Sequence, residues 1–479
     1  MSRSSLLPSW STPGEIASTA YLVSFRRVTP LMKCLVGIDD TDSSKGFCTT
    51  YLAFKVASQS SHANFRVFGY PRLVRLNPNI PFKTRGNAAV CLPLETEEVK
   101  ETFESVCSIV ERLSDVGNGA NSGVVLLHDP RTVPFLRSVY LAALHGVVNK
   151  ERVANQLREN GVPTFQLGNG MGLVGAAASV TFDESYDHTY ELIAYRRRDF
   201  WGTPRRFDLT SVQAMDQRTS PDTFNNYDYH KERPLIAPHG PDPVFLGVRG
   251  STPGTVLKAF QMLRYEEDLE GHMIYLTNQG TDAHLEHELE LPLKAYSSGW
   301  LEGEIVSARP GPGGHQYIHL SSRGARVDCA VYEPTGDLNR SARLLIPGDR
   351  VRIMGGVRRP SARHGKLVNA ESIVVLSLAR QGTMSNPLCR NCGLRLKSEG
   401  RAKGFECQRC GWRAREGTKR IRRIPRKLRA GLYLSSPRAH RHLTKPLIRY
   451  GREAADEVYP LIDGWLRSFI SVPELARSR

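Results

Sequence analysis

The chain has 479 residues, too many for one hydrophobic core, so three or four domains are expected. Its apolar fraction of 40% and charged fraction of 24% are those of an ordinary folded protein, and no run reaches the ~18 apolar residues that a membrane-spanning helix needs. The net charge is +17, and nearly all of it lies at one end: residues 381–479 hold 23 Lys and Arg against 8 Asp and Glu. A basic end on a near-neutral body points to a polyanion held by that part of the chain, the plainer alternative being a solubilising tail.

Residues 1–31 are polar and Ser-rich and lack the apolar core of a signal peptide. They read as a disordered extension, or as the product of a start codon placed too early, because Met32 opens a natural first strand. Residues 33–38 are short and apolar and run into Gly37-Ile38-Asp39-Asp40, a buried strand whose end delivers carboxylates. A helix over 48–60, strands over 65–76 and 88–94, a helix over 97–113 and an apolar run at 124–128 follow, which makes 32–165 a mixed α/β domain. The next block, 166–295, shows strand patterns at 173–182, 189–195, 244–248 and 273–277 and helical patterns at 208–217 and 255–264. A ferredoxin-like α+β arrangement suits that inventory. From 296 to 380 five strand-like runs (301–308, 316–320, 326–331, 350–356 and 372–378) are separated by Gly and Pro turns, the pattern of an OB-fold or another small barrel. Residues 385–415 carry paired cysteines, 416–479 form a basic C-terminal segment, and 449–470 has helical periodicity.

Four constellations carry chemistry. In Gly37-Ile38-Asp39-Asp40-Thr41-Asp42-Ser43-Ser44-Lys45-Gly46-Phe47-Cys48-Thr49-Thr50, three carboxylates within four residues repel one another unless a cation neutralises them. Mg²⁺ does so and favours carboxylate oxygens together with substrate phosphates. Strand geometry sends Asp39 and Asp40 to opposite faces, so the turn must re-aim at least one of them. The bland alternative is an acidic capped turn before a helix. The second constellation, residues 72–90, places Lys83, Arg85, Gly86 and Asn87 between two strand patterns, a composition suited to phosphate oxygens, or else a solvated basic loop. The third comprises Phe224-Asn225-Asn226-Tyr227-Asp228 and Pro238-His239-Gly240-Pro241-Asp242-Pro243, where prolines stiffen the loop around a carboxylate; a rigid structural turn is the alternative.

The fourth is the most specific by spacing. Cys389-x-x-Cys392 and Cys407-x-x-Cys410, fourteen residues apart, form a tetrahedral thiolate set for structural Zn²⁺. The other five cysteines, Cys34, Cys48, Cys91, Cys107 and Cys329, are scattered and read as buried thiols of a reducing compartment. Residues 413–429 hold nine Lys or Arg, among them Arg413, Arg415, Arg422, Arg423, Arg426, Lys427 and Arg429, suited to contact with a nucleic-acid phosphate backbone. Gly170-Met171-Gly172-Leu173-Val174-Gly175 matches a dinucleotide-binding pattern but lacks a good preceding strand, a convincing following helix and a ribose-binding acid, so it is set aside.

Taken in order, these residues resemble the archaeal tRNA-isoleucine agmatidine synthetase family over about residues 33–447. The resemblance rests on residues 37–50, 71–90, 224–228 and 238–248, on Thr277-Asn278-Gln279-Gly280-Thr281-Asp282 and on the cysteine pairs. Phe47 departs from it, standing where relatives are expected to have Met. The resemblance implies a kinase-like α/β domain, a ferredoxin-like domain, an OB-fold and a zinc ribbon. It also implies a cytoplasmic, ATP-dependent carbon–nitrogen ligase that joins agmatine to the wobble cytidine of an isoleucine tRNA with a CAU anticodon. In such an enzyme ATP phosphorylates the cytidine ring oxygen, the agmatine amine displaces phosphate, ATP ends as AMP and phosphate, and a threonine becomes phosphorylated. Carried onto this sequence, Asp39, Asp40 and Asp42 hold Mg²⁺ and ATP with help from Ser43, Ser44 and Asn87. Thr50 is the phosphorylated threonine, Lys83 and Arg85 neutralise phosphate charge, and Asp228, His239 and Asp242 hold agmatine. Two rivals stand against this expectation: a non-catalytic nucleic-acid-binding factor with OB-fold and ribbon modules, and a metal-dependent nuclease using the three aspartates.

Overall fold

The computed structural model describes residues 30–60, 63–83, 86–362, 364–401, 403–415 and 419–469. The expected 1–31 extension, save its last two residues, lies outside them. In chain order the first part contains β1 (Met32–Asp39), α1 (Thr49–Ser58), β2 (Phe65–Val67), β3 (Arg72–Arg75), β4 (Ala88–Thr96) and α2 (Val99–Leu113). It continues through β5 (Gly123–Leu127), α3 (Val133–His145), α4 (Lys150–Glu159), β6 (Thr164–Gln166) and α5 (Gly172–Ser179). Then come β7 (Thr189–Arg196), α6 (Leu209–Thr219), β8 (Thr223–Phe224), β9 (Tyr227–Asp228), β10 (Arg233–Pro234), β11 (Val244–Gly250), α7 (Pro253–Gln261) and β12 (Leu269–Thr277).

Strands from both expected units, 32–165 and 166–295, meet in one sheet of order β6-β5-β1-β4-β3-β12-β7-β11-β8, while β9 and β10 form a small hairpin beside it. The parallel pair β3–β12, Arg72 opposite Leu276 and Leu73 opposite Thr277, makes the junction. Strand alternation sorts side chains to two cores. Val124, Leu126, Ile193 and Tyr195 pack beneath α1 and α2, whereas Val125, Leu127, Leu192 and Ala194 pack with α3 to α7 on the other face.

Two sequence expectations are corrected here. Residues 173–182, expected as a strand, begin as α5. Leu-Val-Gly-Ala-Ala-Ala-Ser is apolar throughout, so periodicity cannot separate buried helix from buried strand, and the alanine run favours helix. Residues 449–470, expected as a helix, instead pass through a 3-10 turn at Leu447–Arg449 and end in a short strand at Leu466–Ser468. Pro460 and Gly464 interrupt any helix there. The strand pairs with β12 at Gly271–Met273, along the stretch of β12 that β3 does not reach.

The second body is a barrel. β13 (Ser298–Pro310), β14 (Gln316–Ser322), β15 (Ala325–Val331), β16 (Arg350–Arg358) and β17 (Leu367–Ser377) run in the order β15-β14-β13-β16-β17 and close through β15–β17, with α8 (Asp337–Ala342) between β15 and β16. Five strands closed in this way are the expected OB-type barrel. Its core holds Leu301, Ile305, Ile318, Leu320, Val351, Ile353 and Ile373. A ribbon follows, built from β18 (Gly382–Ser385), β19 (Lys397–Ser398), β20 (Phe405–Glu406), β21 (Arg413–Ala414) and β22 (Arg420–Arg423), with β18 paired to β22 as its stem. β23 (Gly431–Leu434) then adds to the barrel edge at β17, and Leu466–Ser468, β24, returns to the first sheet. Among the described residues no helix is long and apolar enough to cross a membrane.

Candidate functional site

β1 carries Asp39 to the edge of a cavity of about 330 Å³ between the strand ends and the segments that pass over them. Asp40 takes a left-handed backbone conformation (φ 56°), which turns the chain so that Asp39, Asp40 and Asp42 all line that cavity. This is the re-aiming that a plain strand could not supply. The Asp39 Oδ1 accepts the Asp40 N–H at 2.7 Å. Burial, reinforced by the carboxylates of Asp40 and Asp42, pushes the Asp39 carboxyl well above the usual carboxylate range.

α1 starts beside this cluster. Thr49 and Thr50 are its first two residues, both are buried, and both line the cavity. The Thr50 Oγ1 lies 3.1 Å from the Cys48 Sγ, and the Thr50 carbonyl accepts the Tyr275 hydroxyl at 2.6 Å. Tyr275 is in turn paired with Tyr195 at 2.7 Å. Thr50 is therefore held at a helix N-terminus, where exposed N–H groups favour a phosphate.

Arg75, Lys83, Asn87, Arg249 and His442 bring cations and donors to the same cavity. They are linked: Arg75 Nε donates to Gln279 Oε1 at 3.2 Å, the Gln279 amide donates to Glu191, Arg249 Nε donates to Glu191 Oε1 at 3.0 Å, and Arg249 Nη2 lies 3.1 Å from His442 Nδ1. Burial, with Arg75 and Arg249 close by, drives the His442 imidazole well below its ordinary range and leaves it neutral. Burial also lowers Arg75, to about 10.

Sequence reasoning missed Glu191, Arg249 and His442 because each is separated from the aspartates by a long stretch of chain. The available signal was an acid inside the apolar strand pattern at 189–195. It also missed the role of the glycine-rich run set aside above. Contrary to that reading, a short strand, β6, does precede it and a helix, α5, does follow it. Met171, Val174 and Gly175 line the cavity, and a Cβ on Gly172 would stand 2.5 Å from the Asp39 carbonyl oxygen. The glycines let α5 lie directly against the acidic strand end.

The other named residues lie as follows. Asp242 lines the cavity while ion-paired to Arg205 at 3.3 Å. Asp228 accepts the N–H groups of His230 (3.0 Å) and Lys231 (3.3 Å) at the β9–β10 turn and is not on the cavity wall; His239 is exposed and also away from it. Ser43 is buried and donates to Asp115 Oδ2 at 2.5 Å, and Ser44 is exposed. Arg85 lies outside the described residues.

Cys389, Cys392, Cys407 and Cys410 bring their four sulfurs within 4.8 Å of one another, with Cys389–Cys410 at 3.5 Å and Cys392–Cys407 at 3.4 Å. Four thiolates bound tetrahedrally at ~2.3 Å from zinc stand about 3.8 Å apart, so the set fits that ion. Arg413, Arg415, Lys427 and Arg429 are exposed around the ribbon and its stem, and Arg422 and Arg423 belong to β22. Arg426 differs from them. It pairs with the buried Asp349 of the barrel at 2.5 and 2.7 Å and donates to the Leu344 carbonyl at 2.8 Å.

Fold and site together define a class: a multidomain nucleic-acid-handling protein with an acidic, cation-walled cavity in its α/β body and a barrel and basic zinc ribbon beside it. Family models for the TiaS TCKD domain, the TiaS FLD domain and the TiaS C-terminal zinc ribbon domain match residues 35–98, 170–284 and 386–428. The isoleucine-tRNA 2-agmatinylcytidine synthetase TiaS of Cenarchaeum symbiosum is 42% identical over 420 residues, covering 87% of this chain and 93% of that protein. The protein of the same name from Archaeoglobus fulgidus is 36% identical, covering 88% and 99%. The crystal structure of apo TiaS, an isoleucine-tRNA agmatidine synthetase, superposes with a TM-score of 0.78 at 34% identity, covering 87% of this chain and 98% of that one. That of TiaS in complex with isoleucine tRNA, AMPCPP and agmatine superposes with 0.76 at 33%, covering 87% and 97%. The chain belongs to the TiaS family of isoleucine-tRNA 2-agmatinylcytidine synthetases.

Proposed function

We propose that this protein uses ATP to attach agmatine to the wobble cytidine of an isoleucine tRNA with a CAU anticodon, acting in the cytoplasm. The observation that carries the reading is the convergence of Asp39, Asp40, Asp42, Thr50, Lys83 and Asn87 on one cavity in a member of this family. A solved relative is described as a complex with isoleucine tRNA, AMPCPP and agmatine, the three ligand classes the reaction needs.

The cytidine ring oxygen is amide-like and a very poor leaving group. Phosphorylation converts it to phosphate, which the primary amine of agmatine displaces. Asp39, Asp40 and Asp42 are the residues that would hold Mg²⁺. The donor set fits, since burial and the neighbouring carboxylates of Asp40 and Asp42 already disfavour the negative charge on Asp39, which a cation would offset. Such an ion would screen the nucleotide phosphates and lower the cost of bringing them to carboxylates. Lys83 and Asn87, with Arg85 between them in the sequence, meet phosphate oxygens, and Arg75 and Arg249 add positive potential from the cavity wall. Thr50, at the N-terminus of α1, takes on its hydroxyl the second phosphoryl group that ATP gives up on its way to AMP, and water then releases it as phosphate. Asp242, Asp228 and His239 remain the residues assigned to agmatine, and Asp242 is the one of these on the cavity wall. The base must leave its stack to enter, at a cost of a few kcal/mol. The barrel and the exposed cations Arg413, Arg415, Lys427 and Arg429 offset that cost by binding the RNA backbone.

The test is incubation of the protein with isoleucine tRNA transcript, ATP, Mg²⁺ and agmatine, followed by nucleoside mass spectrometry. Full-length tRNA should gain the mass of agmatine less water only when ATP and agmatine are both present, and Asp40→Ala should abolish the gain. RNA shortened without ATP would establish a nuclease instead. Binding with no modification, unchanged by Asp40→Ala, would establish a non-catalytic binding factor.

A further inference from the structure

The loop that brings Lys83 and Asn87 into the cavity joins β3 to β4, yet it is fastened to the barrel. The Asn77 side chain is fully buried; its Nδ2 donates to the Tyr296 carbonyl at 2.7 Å, and its Oδ1 accepts the Ser298 hydroxyl at 3.0 Å and the Asn79 N–H at 2.9 Å. Asn79 Nδ2 donates to Ser298 Oγ at 2.7 Å, and Asn79 Oδ1 accepts Arg441 Nη1 at 2.7 Å. Arg441 comes from the C-terminal segment and lies 3.6 Å from Glu371 of β17, a buried barrel carboxylate that also meets His284 at 3.1 Å. β16 presses on the same point, since a Cβ on Gly356 would stand 1.9 Å from Asn79 Nδ2.

The two cavity-lining side chains are tied back onto this anchored stretch of the loop. Lys83 Nζ donates to the Pro78 carbonyl at 2.5 Å, and Asn87 Nδ2 donates to the Asn77 carbonyl at 2.8 Å. Pro78 and Pro81 stiffen the span between, because each fixes its own φ and restricts the residue before it. A short, stiff segment with both amides committed to the barrel passes a shift of the barrel on to Lys83 and Asn87.

Resting on the function proposed above, we infer that Asn79 is a positioning residue through which the barrel and the C-terminal segment set the place of Lys83 and Asn87. Nucleotide use thereby depends on how the RNA-holding half is seated. Asn79 touches neither nucleotide nor base in this scheme, and its effect falls on turnover and not on RNA affinity.

The test uses the full chain with Asn79→Ala, Ser298→Ala and their double variant, scored by tRNA filter binding, thermal unfolding, and kcat and KM for agmatine incorporation. Asn79→Ala should lower kcat about ten-fold or more, while tRNA affinity and the KM for tRNA stay within about two-fold. Ser298→Ala should give a smaller loss in kcat, and the double variant should lose less than the product of the two single losses, since both changes remove the Asn79–Ser298 bond. Gly356→Ala, which pushes on Asn79 from the barrel, should reproduce the kcat loss and carries the test if Asn79→Ala unfolds. A kcat for Asn79→Ala within two-fold of the parent, a matching fall in tRNA affinity, or additive losses in the double variant would overturn the positioning role. A parent protein that incorporates no agmatine at all would remove the underlying function as well.

Discussion

Gly175 of α5 lies so close to the acidic strand end that a Cβ on it would stand 1.8 Å from the Asp39 Oδ2. The helix and the carboxylate share one space, and the absent side chain is what allows both to be there. Gly175→Ala must push Asp39 or α5 away. We expect a loss of about 1–3 kcal/mol in stability, typical of overpacking, and a larger proportional loss of ATP-dependent tRNA modification. Thermal melts and agmatine incorporation measured side by side check this; normal activity would show that the helix can yield without moving the carboxylate.

Asp39 gives a pH prediction. Its carboxyl is raised in the folded protein, chiefly by burial and then by Asp40 and Asp42. Between the unfolded value near 4 and the raised folded value, the native state holds a proton that the unfolded state has released. Stability of the metal-free protein therefore falls as pH rises through that window. Asp39→Asn should flatten this slope and raise stability at neutral pH while abolishing modification, a stability gain at the expense of activity. Denaturant melts in Mg²⁺-free buffer from pH 4 to 8 measure it, and parallel slopes for the two proteins would refute it.

The ribbon should depend on its metal. Its buried core consists of Cys389, Leu396, Phe405 and Cys407, too little apolar surface to order residues 386–415 unaided. Structural zinc supplies about 10–16 kcal/mol in such sites. Cys407→Ser should release the ion, detectable by elemental analysis, and weaken tRNA binding, while the far-UV signature of the sheet and barrel remains. Full zinc content in the variant would be inconsistent with a four-thiolate site.

Arg426 and its exposed neighbours should separate cleanly. Removing Arg426 strands the buried Asp349 carboxylate, so Arg426→Ala is expected to cost about 3–5 kcal/mol of stability. Arg429→Ala and Lys427→Ala should leave the melting temperature unchanged and each reduce the salt slope of tRNA binding by about one. Equal melting temperatures for all three variants would contradict the pairing as a structural joint.

Linear spacing alone determined the cysteine quartet, the clustered aspartates, the Lys83–Asn87 loop, the barrel strands and the family likeness, because each is written within a few dozen residues. The helical nature of 172–179 was not legible, since a run buried on every side has no periodic face to show. Nor was the strand at Leu466–Ser468, whose formation depends on an unoccupied stretch of β12 far away in the chain. The cavity itself was decided by tertiary structure. Asp39, Glu191, Arg249 and His442 meet only because one continuous sheet holds β1 together with the β7–β11 pair and the C-terminal segment brings His442 to the same cavity, and Arg426 left the set expected to meet RNA only because Asp349 was waiting across the barrel. Sequence specifies which groups are present; long-range packing decides which of them share a dielectric, and shared burial is what turns separate charges into a site.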